Sequence, residues 1–223
     1  VTLSKILTYN FAHKIITNAE KSKKCVKNFL INKNKVKILY NPTISKIFQK
    51  KQKNKENFIL NVGRLCKQKN QIMTIKAFSI FLKKNKNFKL YLCGDGPDKR
   101  NLENYVHKYG LQKKIIFLGW KKDLKGIYTK AKLFVLTSFY EGMPNCLIEA
   151  SNYEIPSISS NVSGVNDILL NGKGGIILKD YNYHTLAQKM NHVIENYTNY
   201  KYKAKISKKK LDRFTVKIAS KEY

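Results

Sequence analysis

A chain of 223 residues, 43% of them hydrophobic, can bury one good core with a partial second unit attached. The net charge of +30 is large, but only Arg64, Arg100 and Arg213 are arginine; the lysine excess comes with abundant Asn, Ile and Tyr, as AT-rich codon usage would produce, so no specific nucleic-acid role is expected while peripheral attraction to anionic lipid is. No apolar run reaches the ~18 to 20 residues of a membrane-spanning helix and no signal-peptide pattern opens the chain, so a cytoplasmic protein at the inner face of the membrane is expected.

In chain order, His13–Thr17 reads as a strand, Glu20–Leu30 as a lysine-rich helix and Val36–Leu39 as a second strand ending at Asn41-Pro42. This is too little for an independent core. Residues 1–42 are therefore expected to be the remnant of another domain, and Val1 in place of a Met hints that something upstream is absent. Residues 43–56 are polar and lysine-rich and read as an interdomain linker. From Phe58 onward short apolar runs alternate with amphipathic stretches. Strands are expected at Phe58–Val62, Lys89–Cys93, Ile115–Leu118, Leu133–Leu136, Ser157–Ser159 and Gly175–Leu178, with helices between them. That alternation predicts an α/β domain, a doubly wound parallel sheet, over 57–197, with a helical tail over 198–223. Lysine runs such as 50–55 and 205–210 read as solvated faces. Cys25, Cys66, Cys93 and Cys146 stand singly among apolar neighbours and read as reduced core thiols.

In a doubly wound sheet, ligands bind beyond the carboxyl ends of the strands. The first such loop holds Gly63, Arg64 and Lys69, two cations that could neutralise a leaving diphosphate without a metal. The segment after Leu133–Leu136 runs Glu141-Gly142-Met143-Pro144-Asn145-Cys146-Leu147-Ile148-Glu149. Pro144 suits the first turn of a helix, which would leave the amides of Asn145 to Leu147 facing a phosphate. Glu141 and Glu149 would flank that helix end and grip hydroxyls on either side of the diphosphate. On spacing alone, a capping acid and a solvated helix charge explain the two glutamates as well.

The E-x7-E run from Glu141 to Glu149, with Gly142 and Pro144 inside it, resembles glycosyltransferase family 4. So do Gly63-Arg64-Leu65 with Lys69, Leu92-Cys93-Gly94-Asp95-Gly96-Pro97, Ser163-Gly164-Val165-Asn166-Asp167-Ile168 and Tyr40-Asn41-Pro42, in order from about Lys14 to Tyr223. The resemblance implies the Rossmann-like C-terminal half of a retaining GT-B enzyme that takes a nucleotide-sugar donor and a glycan or lipid-linked acceptor in bacterial polysaccharide synthesis, with no metal or other cofactor. It implies catalytic roles for Arg64, Lys69 and Glu141, with Glu141 on the donor sugar. Glu149 would hold the ribose, Cys146 and Leu147 the diphosphate through their amides, and Gly142 and Met143 would lie near the sugar. Gly63, Gly94 and Asn145 complete the donor-binding set, Gly94 by leaving room for nucleotide. The Met143-Pro144-Asn145 variant resembles that of enzymes using UDP-N-acetylhexosamines.

Asn70 and Glu154 stand where that family usually has Gly, and Asp167 where it has Glu. His13, His107, His184 and His192 match no catalytic histidine, since the acceptor domain's site is not in this sequence. Alone, the chain is expected to bind a nucleotide-sugar but to need an N-terminal domain, in cis or trans, for transfer. The competing reading is a non-catalytic remnant that binds polyanions or membrane surfaces.

Overall fold

The computed structural model describes residues 2–49 and 55–222; Val1 and most of the first lysine run lie outside them. The chain opens with α1 (Thr2–Phe11), β1 (Ile15–Thr17), α2 (Glu20–Lys27) and β2 (Val36–Ile38). β1 and β2 pair in parallel, Ile15 opposite Val36 and Thr17 opposite Ile38. Helix α1 leaves Leu7 and Phe11 exposed, and its apolar pattern is too weak to announce itself in the sequence.

The main sheet holds β3 (Phe58–Val62), β4 (Lys89–Cys93), β5 (Ile115–Gly119), β6 (Leu133–Leu136), β7 (Ser157–Ser160) and β8 (Ile176–Leu178), each within one residue of expectation. All pairings are parallel, in the order β5-β4-β3-β6-β7-β8. Strands covered on both faces are mostly apolar, and that is why most of these segments read as hydrophobic runs; β7, Ser157-Ile158-Ser159-Ser160, is buried but serine-rich. One layer packs α3 (Gln71–Phe81), α4 (Lys99–Lys108) and α8 (Tyr183–Glu195) around Ile75, Phe78 and Leu90. The other packs α5 (Lys125–Lys130), α6 (Asn145–Asn152) and α7 (Val165–Ile168) around Phe134, Leu147 and Ile148. Among the described residues no helix is long and apolar enough to cross a membrane.

The C-terminal segment is packed rather than trailing. Helix α9 (Tyr197–Lys208) buries Tyr200, Ala204 and Ser207, and the Ser207 hydroxyl donates to the Ile168 carbonyl at 2.7 Å. Beyond it Leu211 and Phe214 are fully buried. The chain then meets the crossing segment, where the Thr43 and Ile44 amides donate to the Phe214 carbonyl, before α10 (Val216–Glu222) ends it. The segment read as a linker is likewise held: the Phe48 amide donates to Asn152 Oδ1, and Asn152 Nδ2 donates to the Lys46 carbonyl.

Two sequence readings need correcting here. Only Cys93 is a buried core thiol; Cys25 is exposed because α2 covers just a two-stranded sheet, and Cys66 and Cys146 are half-buried. Lys55 is no solvated charge: its Nζ is buried without a partner among the described residues, and burial beside Lys201 pushes its pKa down to about 7. Glu154, at φ 48°, does adopt the left-handed conformation that costs roughly 1–2 kcal/mol for a non-glycine residue. Its carboxylate accepts from Lys208 Nζ at 2.9 Å, so the strained position is tied to α9. Asn70 is also left-handed, at φ 50°, a conformation asparagine tolerates. All four histidines are exposed.

Candidate functional site

The strand order reverses direction between β3 and β6, and the loops leaving their carboxyl ends border the crevice where open α/β sheets take ligands. After β3 the chain runs through Gly63 and Arg64 into a tight turn at Lys67–Lys69. After β6 it runs through Ser138 and Glu141 into α6. The two loops are stitched together. The Phe139 amide donates to the Gln68 carbonyl at 2.8 Å, and Gln68 Nε2 donates to the Tyr140 carbonyl at 2.8 Å. Buried Thr137 donates to the Asn70 carbonyl and contacts the Thr74 hydroxyl at 3.0 Å.

This stitching sets Lys69 Nζ at 2.5 Å from Glu141 Oε1, and Ser138 Oγ donates to the same oxygen at 2.7 Å. The Lys69 side chain lies across Gly63, where an added Cβ would sit 3.5 Å from its methylenes. Only 19% of the Lys69 side chain and 9% of the Glu141 side chain is exposed, so each charge depends on the other. Lys69→Ala leaves a largely buried carboxylate with Ser138 as its donor. The expected loss is about 2 kcal/mol, below the 3–5 of a fully buried pair because the lysine still reaches solvent. In a chain of this size that lowers the thermal midpoint by about 4–8 °C, and Glu141→Gln added to Lys69→Ala recovers most of it. A loss of only a few tenths of a kcal/mol would mean that the pair is screened like a surface one.

Glu149 lies in a different microenvironment. Its Oε2 accepts from the Tyr128 hydroxyl at 2.7 Å, and Tyr128 stacks on Tyr153 with ring centroids 5.5 Å apart. Burial raises the Glu149 pKa, partly offset by the Tyr128 hydrogen bond; burial and the Glu149 charge hold the Tyr128 phenol well above its ordinary value. Glu149 lines a cavity of about 730 Å³ with Tyr128, Lys122, Lys125, Lys46 and Thr43. Sequence reading missed this cavity and Tyr128, because β5–α5 loop and crossing segment meet only in three dimensions. Cys146 sits between the two glutamates: burial pushes its thiol up to about 12, with Lys69 pulling down and Glu141 and Glu149 pushing up.

Helix α6 departs from expectation at its start. Pro144 is the cap, with φ −78° and ψ 93°, and the first helical residue is Asn145. The Leu147 amide donates to the Pro144 carbonyl at 3.0 Å and is therefore not free for a phosphate; among the described residues only the amides of Asn145 and Cys146 lack a backbone acceptor in this turn. Asn145 Oδ1 instead accepts from the Thr43 hydroxyl at 3.0 Å, linking α6 to the crossing segment. The Met143 side chain is buried against Gly164. Gly142 is exposed. Arg64 is exposed, with no ion pair among the described residues, on the same loop as Lys69. At Gly94 the room that glycine leaves is filled by protein: an added Cβ would fall 2.0 Å from the Gly63 carbonyl oxygen. That glycine serves the packing of the two loops, not an open space for nucleotide.

The units are clasped beside this crevice. Asp167 Oδ2 accepts from the Glu20 amide that begins α2, and Asp167 Oδ1 accepts from the Tyr40 hydroxyl. The hydroxyls of Ser22 and Ser163 are 3.0 Å apart, and Lys21 Nζ donates to the Asn161 carbonyl.

Comparison with known proteins agrees with this architecture. A family model described as Glycosyl transferases group 1 matches residues 43–212. An uncharacterized glycosyltransferase of Methanocaldococcus jannaschii is 32% identical over 209 residues, 82% of this chain and 52% of its own. A Campylobacter jejuni GalNAc-alpha-(1->4)-GalNAc-alpha-(1->3)-diNAcBac-PP-undecaprenol alpha-1,4-N-acetyl-D-galactosaminyltransferase is 35% identical over 167 residues, 73% of this chain and 46% of its own. Among solved structures, Anabaena HepE in complex with UDP-glucose gives a TM-score of 0.84 at 18% identity, over 99% of this chain and 65% of that one, a likeness of fold. The chain spans about half the length of the curated relatives it matches. Its six-stranded parallel sheet corresponds to the Rossmann-like C-terminal half of a GT-B glycosyltransferase. Matched from the crossing segment to just past α9, the chain belongs to the glycosyl transferases group 1 family.

Proposed function

We propose that the chain is the donor-binding part of a retaining, family 4 type transferase that moves an N-acetylhexosamine from UDP to a lipid-linked glycan. The observation that carries the reading is Glu149. A carboxylate held by Tyr128 in a 730 Å³ cavity, of a size that suits a small molecule, stands on the same short helix as the free amides of Asn145 and Cys146. In this reading Glu149 accepts from the ribose hydroxyls and the two amides meet the diphosphate. Glu141 and the backbone of Gly142 and Met143 face the sugar. Arg64 and Lys69 neutralise the leaving diphosphate, so no metal is required for that charge. Supporting the acceptor and donor class, the Campylobacter jejuni relative is named for N-acetylgalactosaminyl transfer to a PP-undecaprenol-linked sugar. An α-linked donor giving an α product keeps its configuration, as retention requires. Residues 1–42 belong, in the same reading, to the acceptor-binding domain, 43–56 to the connection and 57–197 to the donor domain. Transfer needs the remainder of the acceptor domain, at the cytoplasmic face of a membrane.

The test is thermal. UDP at about a hundred times its Kd stabilises by about 2.7 kcal/mol, which raises the midpoint of a chain this long by about 5–10 °C. EDTA leaves the shift unchanged. No shift with any nucleoside diphosphate rejects donor binding.

A pH dependence follows from the same carboxyl. Because burial raises the folded pKa of Glu149 above its ordinary 4.5, the folded chain holds a proton there that the unfolded chain has lost. Stability therefore falls as pH rises through the window that opens at 4.5. UDP hydroxyls donate to the ionised form, so UDP affinity falls as pH drops from neutral toward that window. Titrations of wild type and Glu149→Gln over about pH 5 to 7.5 check this, since the terminal phosphate titrates near pH 6 in both and cancels. Parallel pH profiles would remove Glu149 from the binding site.

A further inference from the structure

The crevice is not built from the main sheet alone. Asn18 follows β1 directly, and its side chain reaches across to the loop after β6: an added Cβ on Gly142 would lie 3.2 Å from Asn18 Nδ2 and 3.7 Å from Oδ1. The neighbours of Asn18 fix it there. Thr17 and Ala19 are buried, Ala19 completely. The next amide, that of Glu20, is held by Asp167 Oδ2 at 3.1 Å, and Ser22 and Lys21 are tied to Ser163 and Asn161. The carboxamide itself is half-buried and has no hydrogen-bond partner among the described residues. A primary amide offers two donors and an acceptor. Asn18 is not one of the buried unpartnered polar groups, so these valences face solvent and are open to a ligand.

We propose that Asn18 is a specificity-determining residue that hydrogen-bonds a polar substituent of the donor hexose, so that the sugar end of the site is completed by the first unit of the chain. The inference rests on the reading of Glu141 and Gly142 as the sugar end of the donor site. Gly142 adjoins Glu141, whose carboxylate is pinned by Lys69 and Ser138, and Asn18 packs directly on Gly142, so the loop and the amide form one continuous surface. A hexose lying over this surface meets a carboxylate that accepts at one end and an amide that both donates and accepts at the other. Such a pair reads hydroxyl or acetamido groups, and it discriminates because a missing partner leaves a protein group unpaired. In the same reading the nucleotide occupies the cavity at Glu149, whose lining does not include Asn18, so Asn18 should be blind to UDP itself.

Calorimetric titration of the full chain with UDP and with UDP-N-acetylglucosamine, in wild type and Asn18→Ala, tests this. The expected result is that Asn18→Ala leaves UDP affinity unchanged and weakens UDP-N-acetylglucosamine about tenfold, the effect of one hydrogen bond to sugar. Unchanged affinity for both ligands overturns the assignment. A parallel loss for both, or a lowered thermal midpoint of the unliganded variant, also overturns it, because it assigns Asn18 to the clasp between units. Should wild type bind neither ligand, the donor-site reading itself falls, and this inference with it; should it bind UDP alone with no gain from the sugar, only the sugar contact fails.

Discussion

Glu149→Ala is expected to remove nearly all of the rise in thermal midpoint that UDP produces in the wild-type chain. The Tyr128 hydroxyl occupies Oε2, and Oε1 has no donor among the described residues, so the carboxylate is held in place with acceptor capacity to spare. Two adjacent ribose hydroxyls donating to a charged, partly desolvated acceptor contribute about 1.5–3 kcal/mol each, so their loss weakens UDP by at least ~100-fold. A UDP concentration that was a hundred times Kd then only equals it and stabilises by about 0.4 kcal/mol, a shift of about 1–2 °C. Glu149→Gln separates this from a structural role. Gln can still accept from Tyr128, and it relieves the desolvation that raises the Glu149 pKa. The unliganded Gln variant should therefore melt higher than wild type at neutral pH, while losing the UDP shift. Sites that bind charge are often less stable than their neutral versions, and opposite signs for stability and binding are the mark of one. A Glu149→Ala protein that keeps the full shift would take the ribose contact out of the proposal.

Gly94→Ala should be the most damaging single substitution for the fold. The carbonyl of Gly63 occupies the direction in which a side chain would project, 2.0 Å from the ideal Cβ, and the residue has φ +143°. Neither backbone can yield easily. The Gly63 amide donates to the Cys93 carbonyl at 3.0 Å and the Gly94 amide to the Gly119 carbonyl at 2.9 Å, while the Leu65 amide donates to Asp95. Relief means parting the loops after β3 and β4, at an expected cost of about 4 kcal/mol or more, in the range reserved for core clashes and strained backbones. That corresponds to a midpoint lower by about 8–16 °C. Gly110→Ala is the control: Gly110 has φ +63° but nothing within 4 Å of the added Cβ, so it should cost only the left-handed penalty of about 1–2 kcal/mol. Equal losses at the two positions would show that φ, not the Gly63 carbonyl, sets the cost. The same separation of loops displaces Arg64, so UDP binding should weaken along with stability.

The two glutamates illustrate how much of the site could be read in one dimension. Their spacing, the glycine between them and the cations after β3 are local features, and the residues that resemble the family's motifs lie in the loops that the structure brings to the crevice. What each glutamate touches is another matter. Glu141 pairs with a lysine 72 positions earlier and Glu149 with a tyrosine 21 positions earlier. Nothing at Tyr128 distinguishes it in sequence from the other tyrosines. Asn18 is the extreme case, since it meets Gly142 only through the clasp of α2 on the loop after β7. The reading of Cys25 as a core thiol failed for the complementary reason: apolar neighbours in sequence are not neighbours in space when the sheet beneath has only two strands.

By itself the amino-acid order determined where the strands lie and which residues follow them, because backbone hydrogen bonding and burial on both faces impose their pattern on consecutive residues. It also singled out Arg64, Lys69, Glu141 and Glu149 as candidates, because side-chain type needs no partner to be recognised. The order β5-β4-β3-β6-β7-β8, the pairing of Lys69 with Glu141, the cavity at Glu149 and the filled space at Gly94 were decided only by the tertiary structure. Each depends on distances between segments far apart in the chain, and those distances are set by packing.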